Sequence, residues 1–249
     1  MAASSQGLGL ACAVSLAREG VAVTLNGRSS PRLAAAAARL RDVVPEAQVS
    51  SVMADLTTAE GRATILRVLP AVDILVTNNA GPPPGELVDW DEDALIGALR
   101  ANAIPAIELM RAYVPGMRER GFGRIVNITS AMVKAPAAEM GLSASARAAL
   151  TAVSKSISNA VVRDNVTVNN LLPERIDTPR QEFMAQRLMA AEGLDRDGAR
   201  ERIASTVAAR RLGRPEEFGD ACAFLCSAQA GYISGHNLSI DGGSYGGLI

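Results

Sequence analysis

The sequence predicts an α/β fold, a doubly wound parallel sheet in a single domain spanning residues 1–249, and three observations carry that prediction. Short apolar runs of strand length alternate with longer stretches whose apolar residues recur at helical spacing, in strict order along the chain. The joints between them are short, which favours right-handed crossovers and helices on both faces of the sheet. Hydrophobic residues make up 48% of the chain and aromatics only 3%. The core is therefore packed with Ala, Val, Leu and Ile, as suits a buried parallel sheet.

Leu10, Val14 and Ala17 form one apolar stripe that stops at Gly20, and residues 21–25 read as a buried strand. Ser30 and Pro31 open the next helix with a capping hydroxyl and a first-turn proline, and Leu33, Ala37, Leu40 and Val44 share its inner face. Strands over 49–54 and 72–76 flank a helix over 58–69. One long helix is predicted over 91–117, then a strand over 124–128. A helix over 147–162 turns Leu150, Val153, Ile157 and Val161 inward and leads to a strand over 166–171. Pro215 introduces a last helix, to about residue 227, and 237–240 form the last strand. Residues 180–211 differ: they are polar and charged, with Met184, Leu188 and Met189 as a narrow apolar stripe. They read as a helical flap, either a surface insertion or a substrate lid.

A formal net charge of −1, with both signs interspersed, supplies no basic stripe for nucleic acid or an anionic membrane, so the expected partner is a small molecule. Three cysteines, with no apolar stretch of membrane-spanning length, point to a reducing cytoplasm. Cys222 and Cys226 lie four apart on a predicted helix. With His236 the only histidine, they read as small core residues and no metal is expected.

The stretch AASSQGLG at 2–9 opens directly into the first helix. Gly7 and Gly9 let backbone N–H groups approach a pyrophosphate where the helix dipole favours negative charge. Such a turn normally follows the central strand of the sheet, and Met1 leaves no residues for one. At about 1 kcal/mol net per lost hydrogen bond, an empty slot would rival a domain's total stability of ~5–15 kcal/mol. The first central strand is thus apparently missing from the N-terminus; either the native chain begins some residues upstream or another segment fills the slot.

Further motifs follow in order: NNAG at 78–81, Asn102, NITS ending at Ser130, NNLLPERIDT at 169–178, GRPEEF at 213–218 and IDGG at 240–243. Together with the glycine turn, their order and spacing resemble the short-chain dehydrogenase/reductase family, in particular its 3-oxoacyl-carrier-protein reductase-like branch, over nearly the whole chain. The resemblance implies a Rossmann-type fold and a nicotinamide dinucleotide across the carboxyl ends of the strands. It places Ser5, Gly7, Leu8, Gly9, Asp55, Leu56, Asn79, Ala80, Gly81, Arg147, Pro173, Ile176 and Thr178 at the cofactor. Arg28, after the second strand of the family's order, can pair with a 2′-phosphate where an acidic residue would hold a ribose 2′-hydroxyl. That favours NADP over NAD, unless Arg28 is a solvated loop charge. Two departures stand out: Ala2 and Ala3 replace the family's Thr-Gly, and Glu174 stands where a glycine usually follows Pro173. Glu174 either adds an acid near the nicotinamide pocket or points outward.

In this family a tyrosine lies thirteen residues after the serine at the strand end and a lysine four further on; counting from Ser130 gives Ser143 and Arg147. The implied catalytic set is Asn102, Ser130, Ser143 and Arg147. Ser143 offers a hydroxyl that is a poorer acid than a phenol and shorter in reach, while Arg147 can hold ribose hydroxyls but cannot relay a proton. Lys134, four residues past Ser130, is an alternative donor or a solvated charge. Tyr113 reads as helix packing, and Tyr245 as a residue able to reach a neighbouring subunit. Two functions follow: an NADP-dependent oxidoreductase acting on a small carbonyl or alcohol with altered proton transfer, or a dinucleotide-binding sensor or interaction protein without turnover. The family also implies a homotetramer or homodimer built on the helices over 91–117 and 147–162.

Overall fold

A computed structural model describes residues 1–248. The elements in chain order are α1 (Gly7–Arg18), β1 (Val23–Gly27), α2 (Ser30–Val43), β2 (Val49–Met53), α3 (Ala59–Val68) and β3 (Ile74–Thr77). Then come α4 (Glu92–Asn102), α5 (Ile104–Arg120), β4 (Gly123–Ile128), α6 (Gly141–Val161) and β5 (Val166–Pro173). The chain continues through α7 (Pro179–Glu192), α8 (Arg196–Ala204), α9 (Pro215–Cys226) and β6 (Asn237–Ile240).

All strand pairs are parallel: β1 pairs with β2, and β3, β4, β5 and β6 form a second, four-stranded sheet. Successive residues of the central strands feed opposite cores. Val76, Val126 and Leu171 pack with α1, α2 and α9, whereas Leu75, Ile125 and Val168 pack with α5 and α6. This alternation lets a chain poor in aromatics fill two apolar layers with aliphatic side chains.

The slot between β1 and β3 is bridged at its upper end by residues 1–4. Met1 N donates to Thr24 O (3.0 Å) and Met1 O accepts from Asn26 N (3.1 Å), a parallel ladder in miniature. On the opposite side Ala2 N donates to Val76 O (2.9 Å). These few bonds join the two sheets, so the expected gap is partly filled by the turn's own leading residues.

Two helix boundaries differ from expectation. The predicted helix over 91–117 is broken at Ala103, because Pro105 cannot donate a backbone hydrogen bond and suits the first turn of a new helix, α5. The helix predicted from 147 begins already at Gly141, where a Cβ would overlap the Trp90 ring. Residues 142–150, LSASARAAL, which include Ser143 and Arg147, are therefore helical throughout. On α6, Ser154 and Ser158 are buried beside Leu150 and Val161, while Val153 and Ile157 are half-buried.

The flap forms a hairpin of α7 and α8 with a small core of Ala185, Ala199 and Ile203. Arg196 pairs with Glu182 (2.9 Å) and Arg200 with Asp177 (2.6 Å) across it. Cys12, Cys222 and Cys226 are free thiols, buried where α1 packs on α9.

Candidate active site

The carboxyl ends of β1, β3, β4 and β5 converge on the N-terminus of α1. Ala3 adopts φ 42° and Gly7 φ 58°, so the turn reverses through left-handed backbone twice. Gly9 is pressed against the turn: a Cβ there would lie 2.6 Å from Ala3 O. Gln6, at the N-cap, makes no side-chain capping bond, so the first-turn N–H groups stay available to an anion. Thr178 closes over the turn, its Cβ 3.8 Å from where a Gly7 Cβ would stand. This cradle fits the pyrophosphate of a dinucleotide.

Arg28 follows β1 with its side chain 73% exposed, and its Nη1 lies 4.0 Å from Asp55 Oδ2. Asp55 accepts from Thr57 N (3.0 Å) and Thr57 Oγ1 (2.8 Å). The Thr57 backbone bond is the main reason its carboxyl is held below the usual range. Leu56 beside it is buried. At the end of β3, Asn78 Nδ2 donates to Ala3 O (3.2 Å), tying that turn to the cradle.

Arg147 occupies the centre. It is buried, and its guanidinium makes four hydrogen bonds: Nε to Ser143 Oγ (3.3 Å), Nη1 to Ile128 O (3.0 Å) and Thr129 O (2.7 Å), and Nη2 to Asn79 O (3.4 Å). Its pKa is lowered to about 10, first by burial and then by Arg180; it still carries its charge at neutral pH. Gly81 completes the wall, since a Cβ there would lie 3.5 Å from both Ser143 Oγ and Arg147 Nη2. Ser130 caps the short 3-10 turn Ala131–Val133, its Oγ accepting from Met132 N (3.2 Å). Asn102 is buried at the α4–α5 break; its Nδ2 donates to Ala98 O (3.2 Å), and its Oδ1 has no partner among the described residues.

Residues 2–245 match a family model described as enoyl-(acyl carrier protein) reductase. The chain belongs to the short-chain dehydrogenase/reductase family. The NADPH-dependent reductase BacG of Bacillus subtilis is 30% identical over 97% of this chain and 95% of its own length. The dehydrogenase/reductase SDR family member 4 of Bos taurus is 32% identical over 97% of this chain and 85% of its own. Among solved structures, L-sorbose reductase from Gluconobacter frateurii in complex with NADPH and L-sorbose superposes with a TM-score of 0.92 at 30% identity, covering 100% of this chain and 96% of that one.

Within this family fold the side chain at 174 does not point outward. Glu174 is largely buried, in a cavity of about 300 Å³ lined also by Arg175, Arg211, Glu217, Ser239 and Asp241. Arg175 beside it lies at φ 52° with Nε 3.0 Å from the Glu174 carboxylate. Ile176 is buried and bridges to Gly213, fixing the loop that carries Thr178. Of the tyrosines, Tyr113 donates from its hydroxyl to Leu69 O (2.8 Å) and Tyr232 is fully exposed. Lys134 Nζ lies 5.2 Å from the Tyr245 ring centroid, so these two groups meet within one chain.

One residue of the site escaped the sequence reading. Arg180, in the first turn of α7, reaches back to donate from Nη2 to Pro82 O (3.2 Å). Its only signal was its place two residues after Thr178.

Proposed function

We propose that this chain is an NADP-dependent oxidoreductase that transfers hydride between the nicotinamide and a small carbonyl or alcohol, with Ser143 and Arg147 in place of a phenol and an amine. The observation that carries the reading is the cradle: an uncapped α1 N-terminus, with Gly9 against Ala3 O and Arg28 exposed beside it. The NADPH-dependent relatives support the choice of cofactor. Gly7, Leu8 and Gly9 would hold the pyrophosphate through backbone N–H groups. Arg28 and Ser5 would face the adenosine phosphate, Asp55 and Leu56 the adenine, and Asn79, Ala80 and Gly81 its ribose. Pro173, Ile176 and Thr178 would line the nicotinamide end.

When bound, the cofactor supplies the hydride. Because Ser143 Oγ accepts from Arg147 Nε, its own hydrogen is left to donate to a substrate oxygen. The buried guanidinium behind it favours negative charge developing there. Ser130 supplies a second hydroxyl, and Asn102 Oδ1 a buried acceptor for a water that brings the proton. An aliphatic hydroxyl polarises an oxygen better than it yields a proton, so turnover is slow: general acid–base help is worth ~10²–10⁴ in rate. Lys134 beside Tyr245 is the alternative proton source. Assembly into a dimer or tetramer would use α5 and α6, flanked by exposed Leu95, Ile96 and Ile104.

A second reading, a dinucleotide-binding sensor or interaction protein, is favoured by the missing phenol at 143. Fluorescence titration with NADPH and NADH, followed by a carbonyl panel on the wild type and on Ser143→Tyr/Arg147→Lys, separates the two. Slow wild-type turnover supports the oxidoreductase. Tight binding with activity only in the double variant supports the sensor.

A further inference from the structure

Two guanidiniums reach the loop of Gly81 and Pro82, and neither has a carboxylate partner among the described residues. Arg147 rises from α6 beneath Gly81, while Arg180 arrives from α7 and donates to the carbonyl of Pro82, the next residue. The loop at 81–82 thus lies beside both cations, which are near enough to repel each other across the space between them, and the Phe183 ring centroid lies 5.3 Å from the second.

Arg187, also on α7, adds like charge beside Arg180, in contrast to α8. There Arg196 and Arg200 are each ion-paired to a carboxylate. Among the described residues Arg180 has one neutral carbonyl as hydrogen-bond acceptor, and it is exposed to solvent, where a solute can meet it. A guanidinium surrounded by carbonyl oxygens keeps its charge uncompensated, and a second one nearby adds repulsion. An incoming anion relieves both, and the planar fork of arginine matches a carboxylate in two-point contact.

We propose that this space is an anion subsite and that the substrate is an oxo acid or hydroxy acid, its carboxylate held by Arg180 with its reacting oxygen toward Ser143. The assignment of substrate class rests on the oxidoreductase reading; the anion subsite does not. The same negative charge could come from the cofactor's pyrophosphate, and the measurements below distinguish that source.

Calorimetric titration of benzoate against its neutral isostere benzamide, with NADP present and absent, tests the subsite without turnover. Benzoate is expected to bind at least ~10-fold more tightly than benzamide with NADP present, about 1.4 kcal/mol. That preference should be lost in Arg180→Met and weakened in Arg180→Lys, with melting temperatures showing both variants folded. Equal binding of the two probes overturns the proposal. So does a benzoate preference that disappears once NADP is bound while Arg180→Met weakens NADP itself, since the anion is then the cofactor's own phosphate. In a turnover arm, 2-oxo and 3-oxo acids are compared with their methyl esters. An acid-over-ester ratio in kcat/KM above ~10 that collapses toward one in Arg180→Met supports the substrate class; a ratio near one in the wild type overturns it. Benzoate selectivity with no turnover of any substrate leaves the subsite standing and defeats the oxidoreductase reading alone.

Discussion

Arg147 Nε donates to Ser143 Oγ across 3.3 Å, one turn apart on α6, and the same guanidinium binds the carbonyls that end β4. One side chain thus orients the site's buried hydroxyl and closes the top of the central strand. Removing it affects both. Arg147→Met leaves carbonyl oxygens of Ile128 and Thr129 without that donor in a buried place, at about 1–3 kcal/mol for each unsatisfied group. A fall in melting temperature of roughly 5–15 °C is expected for a chain of this size. Arg147→Lys, with a single nitrogen, recovers part of it. An unchanged melting temperature in Arg147→Met would show that the carbonyls find water instead.

Much of this arrangement was readable because strand and helix periods differ, and the apolar residues of each segment obey one or the other. The break at Ala103 was hidden, since the apolar pattern runs through it and Pro105 is compatible with the first turn of a helix as well as with a kink. The early start of α6 depends on Trp90 lying against Gly141, a contact between distant segments that no local pattern encodes. The count from Ser130 located Ser143 and Arg147, yet it could not show that the guanidinium faces strand-end carbonyls. Lys134 meeting Tyr245 and Arg180 reaching Pro82 are likewise products of chain folding, not of spacing.

Ala3 stands in left-handed backbone, φ 42°, where the family carries glycine. That conformation costs a residue with a Cβ about 1–2 kcal/mol, and glycine's greater freedom in the unfolded chain takes back about 0.4–1 kcal/mol. Ala3→Gly is therefore expected to stabilise by about 0.5–1 kcal/mol, read as a rise of roughly 1–4 °C by calorimetry. A loss of stability would mean that the alanine methyl contributes more in packing than its backbone strain removes.

Gly9 gives the opposite result. A Cβ at this position would lie 2.6 Å from Ala3 O and 2.9 Å from Ser4 Cα, both backbone atoms that cannot swing aside. Gly9→Ala forces α1 away from the turn and misaligns its N–H groups. NADPH affinity should fall by more than ~10-fold, equivalent to about 1.4 kcal/mol. Titration of the folded variant checks this, and retention of wild-type affinity would place the phosphate elsewhere.

Arg28 separates the two nicotinamide cofactors. Its exposed guanidinium beside Asp55 is free to turn toward a 2′-phosphate, and a charge-assisted hydrogen bond of that kind is worth about 1.5–3 kcal/mol. Arg28→Ala is expected to weaken NADPH by roughly 10–100-fold while changing NADH little. Equal losses for both cofactors would assign Arg28 to shaping the loop instead of reading the phosphate.

Glu174 sets a pH dependence of stability. Burial is the main reason its carboxyl is held above the ordinary value of 4.5; Arg175 opposes the shift and Asp241 adds to it. The folded chain therefore keeps this proton to a higher pH than the unfolded chain does. Between 4.5 and the raised value the folded state binds more protons, so the group's contribution to stability falls as pH rises through that window. Below it, both states are protonated and the penalty is gone. Glu174→Gln removes the penalty, so the variant should melt above the wild type near neutral pH and lose that advantage as the pH is taken down toward 4.5. Melting curves of both proteins across that range decide the matter. An advantage that persists unchanged at the acid end would trace the gain to packing in the cavity shared with Ser239 and Asp241, not to the buried charge.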